Sequence, residues 1–280
     1  VKRATALEGL LSRFGTAPQV QFYLKSRGDS FSFYLDAHTT YKQSVEAIQR
    51  SIPQSIRSQF IDKEDLEKFL FGEKDMIVIV GDDGLLVNVA KYTQGQPIIA
   101  VNADPQRFDG VLATCAPQEF PAILKSTLVE KVTLETLTMA EAYAGDGQVL
   151  YALNDFFIGK KDHTSARYVI EYAGREERQS SSGIIISTGT GSTGWLTSVI
   201  KGSEGIARGI LGEDYSLHNP AFQRSAPYLM FVVREPFPSK VTGTSIVYGQ
   251  ITAENNLKVT SNMPENGVIF SDGIQEDYLE

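Results

Sequence analysis

The chain has 280 residues, 42% hydrophobic and 21% charged, proportions that fit two modest folded domains or one large one and exclude a disordered or fibrous chain. With 34 acidic against 26 basic side chains the net charge is −8, which argues against a general binder of nucleic-acid backbones. One cysteine and three histidines allow no internal disulfide and are too few for a structural zinc site, and the apolar runs fall short of the ~18 residues of a membrane span, so the expectation is a cytoplasmic protein without nucleic-acid or membrane partners.

Leu7, Leu10, Leu11 and Phe14 recur at helical spacing behind Thr5, which forms a capping box with Glu8, and Gly15 closes the helix. A second box from Thr16 to Gln19, with Pro18 in its first turn, opens another helix. A third runs over residues 36–51 with Tyr41, Val45 and Ile48 on one face. Residues 76–80 form a continuous apolar, β-branched run, the pattern of a parallel strand covered on both faces. They lead into Gly81-Asp82-Asp83-Gly84, a short helix over 85–91 and a second parallel strand over 97–101. Beyond residue 126 the period shortens to that of strands. Glycine turns separate 136–144 from 148–157, and 166–172 from a segment that leads to Ile184–Ile186. Strands continue at 228–233, 245–252, 257–260 and 268–270.

The expected fold is an α/β N-terminal domain with a parallel sheet, residues 1–126, followed by a β-rich domain, residues 127–264. The C-terminal segment 265–280 is expected to return to the first domain.

Three segments carry chemistry. The turn Gly81–Gly84 ends a strand, where glycines let the backbone approach a ligand and a carboxylate can hold a metal or take a proton. Alone, these four residues read more readily as a tight turn whose Asp caps the next helix. Residues 187–195 follow an apolar strand and precede a helix. Their Thr190, Gly191, Ser192, Thr193 and Gly194 offer hydroxyls and open N–H groups suited to phosphate or ribose oxygens, with Trp195 beyond. Asn154 and Asp155 interrupt an apolar strand and need partners; an adenine edge or a ribose diol would supply them, and so would a bulge or turn.

In this order and spacing the segments resemble the ATP-NAD kinase family, and more closely its divergent branch of mitochondrial-type enzymes. The Ser182-Gly183 pair, the Gly189-Thr190-Gly191-Ser192 wording and Arg234-Glu235-Pro236 carry that finer likeness. The resemblance runs from Met76 to Phe270. It implies phosphoryl transfer from ATP to the 2′-hydroxyl of the adenosine ribose of NAD, with Mg²⁺ or another divalent cation. It also implies a β-sandwich second domain and a homo-oligomer, dimer or tetramer.

By the resemblance Asp83 falls on the catalytic carboxylate that deprotonates or orients the ribose hydroxyl, and Gly81 and Gly84 on the turn glycines. Asn154 and Asp155 fall on the dinucleotide-contacting pair. Thr193, Gly194 and Trp195 fall on the adenosine-lining loop, with Ser198 one turn further, and Phe108 on an aromatic that packs on the dinucleotide. Ser271-Asp272-Gly273 resembles a family turn but reads more readily as a plain hairpin or surface turn. The metal ligands are unassigned, as are His38, His163, His218 and the cations Lys91, Lys160, Lys161 and Arg167.

The chain departs from the family pattern at Asp82 and Leu85, where glycine and threonine are expected. It departs again at Ser182, Gly189 and Trp195, in place of Asp, Pro and Tyr. The competing functions are a dinucleotide-binding protein that transfers no phosphate and a related kinase acting on a lipid or other alcohol.

Overall fold

The computed structural model describes residues 1–212, 216–217, 220–273 and 278–279, so that His218 lies outside the described residues. The chain divides into two compact units, Val1–Leu134 and Glu135–Glu280. The division falls after Leu134 rather than after residue 126, because helix Phe120–Leu128 runs across that position.

In the first unit, α1 (Ala6–Phe14) starts at the expected capping box. The Thr5 hydroxyl accepts from Glu8 N–H at 3.2 Å and the Glu8 carboxylate accepts from Thr5 N–H at 2.8 Å. Gly15, at φ +80°, ends the helix. In α2 (Ala17–Ser26) the Thr16 hydroxyl turns to the Gln19 side chain at 2.8 Å, and the second box does not close on the backbone. Helix α3 (Phe31–Ser51) begins ahead of residue 36, because Phe31 and Tyr34 join the small core that Leu7, Val20 and Leu24 form between α1 and α2. Its expected face is buried at Tyr41, Val45 and Ile48.

Strand β1 (Ile77–Gly81), helix α4 (Asp83–Ala90) and strand β2 (Ile98–Asn102) form the expected strand–helix–strand unit, with β1 and β2 parallel and Gly81 opposite Asn102. On the other edge of β1, Val80 N–H donates to the Val1 carbonyl at 3.0 Å, and Cys115 bridges Val101 on the far edge of β2. Val80, Ile99 and Val101 share a core with Tyr41, Val45 and Ile48 of α3 and Phe120 and Leu124 of α5 (Phe120–Leu128).

The second unit contains β3 (Ala140–Tyr143), β4 (Val149–Ala152), β5 (Asp155–Lys160), β6 (Ala166–Tyr172), β7 (Arg175–Ser181) and β8 (Ile184–Ser187). After α6 (Trp195–Leu211) come β9 (Leu229–Val233), β10 (Tyr248–Ile251), β11 (Leu257–Ser261), β12 (Gly267–Ser271) and β13 (Tyr278–Leu279). The sheets run β10-β9-β8-β5-β12-β13, β11-β6-β7 and β3-β4, with antiparallel pairing throughout the described strands. Ala173 and Gly174, both at positive φ, make the two-residue turn between β6 and β7, Gly174 without a Cβ penalty and Ala173 against its usual preference.

Residues alternate between two buried faces of the larger sheet. Phe156, Ile184, Ile186 and Phe231 enter a core shared with Tyr168 and Ile170 of the smaller sheet. Ile185 and Val232 pack on the opposite face with Leu196 of α6. Burial on both faces explains why β8 reads as an unbroken apolar run.

Two expectations are corrected. Residues 148–157 are not one strand: β4 pairs with β3, the chain turns at Leu153-Asn154, and β5 enters the larger sheet. The described part of the C-terminal segment, residues 265–273 and 278–279, pairs within the second unit, β12 with β5 and β13 with β12.

Candidate functional site

In the first unit the acidic turn stands at the C-terminal end of a parallel strand, the position where α/β sheets bind ligands. A Cβ on Gly81 would lie 2.7 Å from Leu85 Cδ2, so a side chain there would force the Leu85 side chain to shift. Asp82 caps α4 by accepting Leu85 N–H at 3.0 Å and pairs with Arg3 at 2.9 Å. Asp83 in turn accepts the backbone N–H groups of Val111, Leu112 and Ala113 at 2.9, 3.0 and 2.7 Å. Its carboxylate therefore holds the stretch after β2 as well as facing the turn. Gly84 is in the first turn of α4. Phe108 is exposed on that same stretch, and the buried Asn102 amide donates to its carbonyl at 2.8 Å.

In the second unit the other two segments meet. Thr188 N–H donates to the Asn154 carbonyl at 2.9 Å and its hydroxyl donates to the Leu153 carbonyl at 2.5 Å. Gly191 lies directly over the pair: a Cβ there would be 2.3 Å from the Asn154 carbonyl oxygen and 2.8 Å from Asp155 Oδ1. Gly189 is equally constrained, 2.0 Å from the Gln223 carbonyl oxygen by the same measure. Ser192 donates to the Gly189 carbonyl at 2.7 Å and accepts Phe222 N–H at 3.2 Å, which pins the loop from below.

Thr193 and Gly194 are exposed at the start of α6, and Ser198 is exposed one turn on, its hydroxyl donating to the Gly194 carbonyl at 3.2 Å. Trp195 stacks on Phe157 of β5 with centroids 5.6 Å apart, and the Arg234 guanidinium lies 5.6 Å from its ring. Thus Asn154, Asp155, Gly191 and Trp195, distant in sequence, are neighbours around the start of β5. Asp83, Gly81, Gly84 and Phe108 belong to the first unit.

Sequence reasoning gave no role to two residues. Asp272, after β12, accepts N–H groups from Leu153, Asn154 and Asp155 and so builds their turn; its signal was the Ser271-Asp272-Gly273 wording. Arg3 neutralises the extra charge of Asp82 and stacks over Tyr41 at 5.3 Å. The unusual carboxylate at 82 signalled that a cation would be needed.

Among the described residues, three buried side-chain polar atoms lack a hydrogen-bond partner: Arg3 Nε, Asp155 Oδ1 and Thr190 Oγ1. Asp155 and Thr190 belong to the second and third segments, and Arg3 pairs with Asp82 of the first through another of its nitrogens. Such atoms cost about 1–3 kcal/mol apiece when buried without a partner, so each calls for one, whether water, ion or ligand. Burial pushes the Asp155 carboxyl up to about 7; a hydrogen bond from Ser187 opposes the rise and the Asp272 charge adds to it.

No group of three or more His, Cys, Asp or Glu side chains able to hold a metal occurs among the described residues. Asp82 and Asp83 are committed to Arg3 and to backbone N–H groups. These residues do not form a resident cation site. The cavities of about 570 and 520 Å³ in the first unit are lined by none of the residues selected from sequence.

The fold defines a class, the NAD kinase fold. Over 85% of this chain and 81% of the other, the structure superposes with TM-score 0.56 and 20% identity on an NAD kinase from Archaeoglobus fulgidus in complex with ATP. In sequence the chain is similar to the NAD kinase of Flavobacterium psychrophilum, 29% identical over 50% of this chain and 48% of that protein. It is also similar to human mitochondrial NAD kinase 2, 23% identical over 79% of this chain and 65% of that one. The resemblance to the ATP-NAD kinase family, including its mitochondrial-type branch, therefore extends beyond the motifs. The chain spans between about half and two thirds of the length of these relatives. No family model matches the chain.

Proposed function

We propose that this protein is an NAD kinase that transfers the γ-phosphoryl group of ATP to the 2′-hydroxyl of the adenosine ribose of NAD, giving NADP and ADP. The observation that carries the reading is that two orphaned polar atoms, Asp155 Oδ1 and Thr190 Oγ1, lie where Gly191 covers the Asn154-Asp155 turn. Asn154 and Asp155 contact the dinucleotide. Thr190, Gly191 and Ser192 present N–H and hydroxyl groups to its oxygens, while Thr193, Gly194, Trp195 and Ser198 line the adenosine side. Gly81 and Gly84 admit the donor phosphates, Phe108 packs on the dinucleotide, and Asp83 takes the ribose hydroxyl proton as the oxygen–phosphorus bond forms and the bond to ADP breaks. A divalent ion enters with ATP as part of the substrate.

The same reading takes 1–134 as the nucleotide-binding α/β domain and 135–280 as a β-sandwich dinucleotide domain. It makes the protein a cytoplasmic homo-oligomer, dimer or tetramer. The lone, buried Cys115 suits a reducing compartment, and Ile206 and Ile210, exposed one turn apart on α6, suit a contact between copies. Among the described residues no helix is long and apolar enough to cross a membrane.

The test is incubation with ATP, Mg²⁺ and NAD, with NADP read by an NADP-specific dehydrogenase. NADP that requires both substrates supports the proposal; NAD binding without NADP from ATP or polyphosphate overturns it. That second outcome would establish a non-catalytic dinucleotide-binding protein, a reading favoured by the three N–H groups that already occupy Asp83.

A further inference from the structure

Between β4 and β5 the chain leaves one sheet and enters another, so the N–H groups of the connecting turn have no neighbouring strand to pair with. One side chain meets them. The Asp272 carboxylate accepts Leu153 N–H at 3.0 Å, Asn154 N–H at 2.6 Å and Asp155 N–H at 3.1 Å, and Asp272 N–H donates to the Asp155 carbonyl at 2.8 Å. Asp272 adopts φ +54°, a left-handed conformation that Asp tolerates better than most residues. Its place is fixed on both sides: Ser271 pairs opposite Phe156 in the sheet, and the Ser271 hydroxyl donates to the Tyr151 carbonyl.

We propose that Asp272 is a positioning residue for dinucleotide binding, holding the Asn154-Asp155 turn in its ligand-competent shape before the ligand arrives. The inference rests on the NAD kinase reading for the identity of that ligand. Hydrogen bonds to an ionised acceptor are about twice as strong as neutral ones, and three converging on one carboxylate leave the turn a single arrangement. Without the carboxylate, three buried-side N–H groups would seek other acceptors and the Asn154 amide would move with them. The same charge acts on the neighbouring Asp155, raising its tendency to stay protonated.

The test compares wild type with Asp272→Asn and Asp272→Glu. In Asp272→Asn one oxygen becomes an NH₂ group that faces N–H donors. We expect the NAD Kd and KM to rise about tenfold or more, the loss of one to two charge-assisted bonds, with the ATP KM within about twofold and Asp272→Glu recovering part of the affinity. The pH midpoint that Asp155 imposes on NAD binding should also move to lower pH in Asp272→Asn, because the negative neighbour is gone. An unchanged NAD affinity, an equal rise in both KM values, or a midpoint that stays in place overturns the proposal.

Should neither variant fold, amide exchange in wild type decides. Amides 153–155 protected without NAD support the proposal, and amides that gain protection only with NAD overturn it. A wild type that binds NAD but makes no NADP removes the kinase reading, while the NAD Kd values still decide the role of Asp272. A wild type that does not bind NAD removes both.

Discussion

Asp83 and Asp82 are adjacent, yet the structure gives them different work. Asp83 shares its two oxygens among three backbone N–H groups, so Asp83→Asn is less conservative than its shape suggests: its NH₂ must face at least one donor. We expect a stability loss of roughly 1.5–3 kcal/mol for the bond to the charged group, seen in thermal unfolding. If the carboxylate is also the base, NADP formation falls by about 10²-fold or more. Turnover within a few fold of wild type, together with the stability loss, would make Asp83 a clamp on Val111–Ala113 alone. Asp82→Gly removes an N-cap and the partner of Arg3. A glycine cap costs only a few tenths of a kcal/mol relative to Asp, and a negative charge leaves the presumed donor side, so turnover should persist and the ATP KM should hold or fall. Loss of turnover in Asp82→Gly, with Asp83→Asn active, would transfer the catalytic role to Asp82.

At the scale of elements, what was legible in the sequence was local. The Thr5–Glu8 box, the β-branched run of β1 and the Ala173-Gly174 turn each carry their cause within a few residues, and each forms where expected. What was not legible depended on distant partners. Phe31 extends α3 only because α1 and α2 offer it a core, and the strand over 148–157 breaks because Asp272, more than a hundred residues away, captures its N–H groups. The closeness of Gly191 to Asn154 is likewise a tertiary fact behind a run that reads as a flexible loop. Two glycine substitutions separate these cases. Gly191→Ala places a methyl 2.3 Å from the Asn154 carbonyl oxygen, and the loop must lift from the turn; the NAD KM should rise by about tenfold or more with the ATP KM little changed. Gly205→Ala, in the body of α6 with no atom within 4 Å of the new methyl, should raise stability by about 0.5–1 kcal/mol and leave both KM values alone. Substrate titrations and thermal unfolding of the two variants check both expectations.

At the scale of the whole molecule, the order and spacing of an acidic turn, an Asn-Asp pair and a Gly/Thr/Ser loop carried the resemblance to the ATP-NAD kinase family before any contact was known. The cost of burying the Asp155 carboxyl is visible in the pH dependence of folding. Asp155 titrates near 7 in the folded protein, chiefly through burial, against about 3.9 for an exposed aspartate. Between those two values the folded state keeps a proton that the unfolded chain has released, so ∂ΔG/∂pH is negative and stability falls as pH rises from about 4 toward 7. Below that window both states are protonated and the contribution is fully present; above it both are ionised and the loss is complete, at most about 4 kcal/mol by the usual conversion. Asp155→Asn cannot ionise and should lack this slope. Thermal unfolding of wild type and Asp155→Asn across pH 4–8 should therefore show curves that diverge with rising pH and run parallel above about 7.5, with the variant relatively more stable at the alkaline end. Curves parallel throughout would mean that Asp155 is ionised in the folded protein at all of these pH values, and its orphaned oxygen would then have a partner in solution.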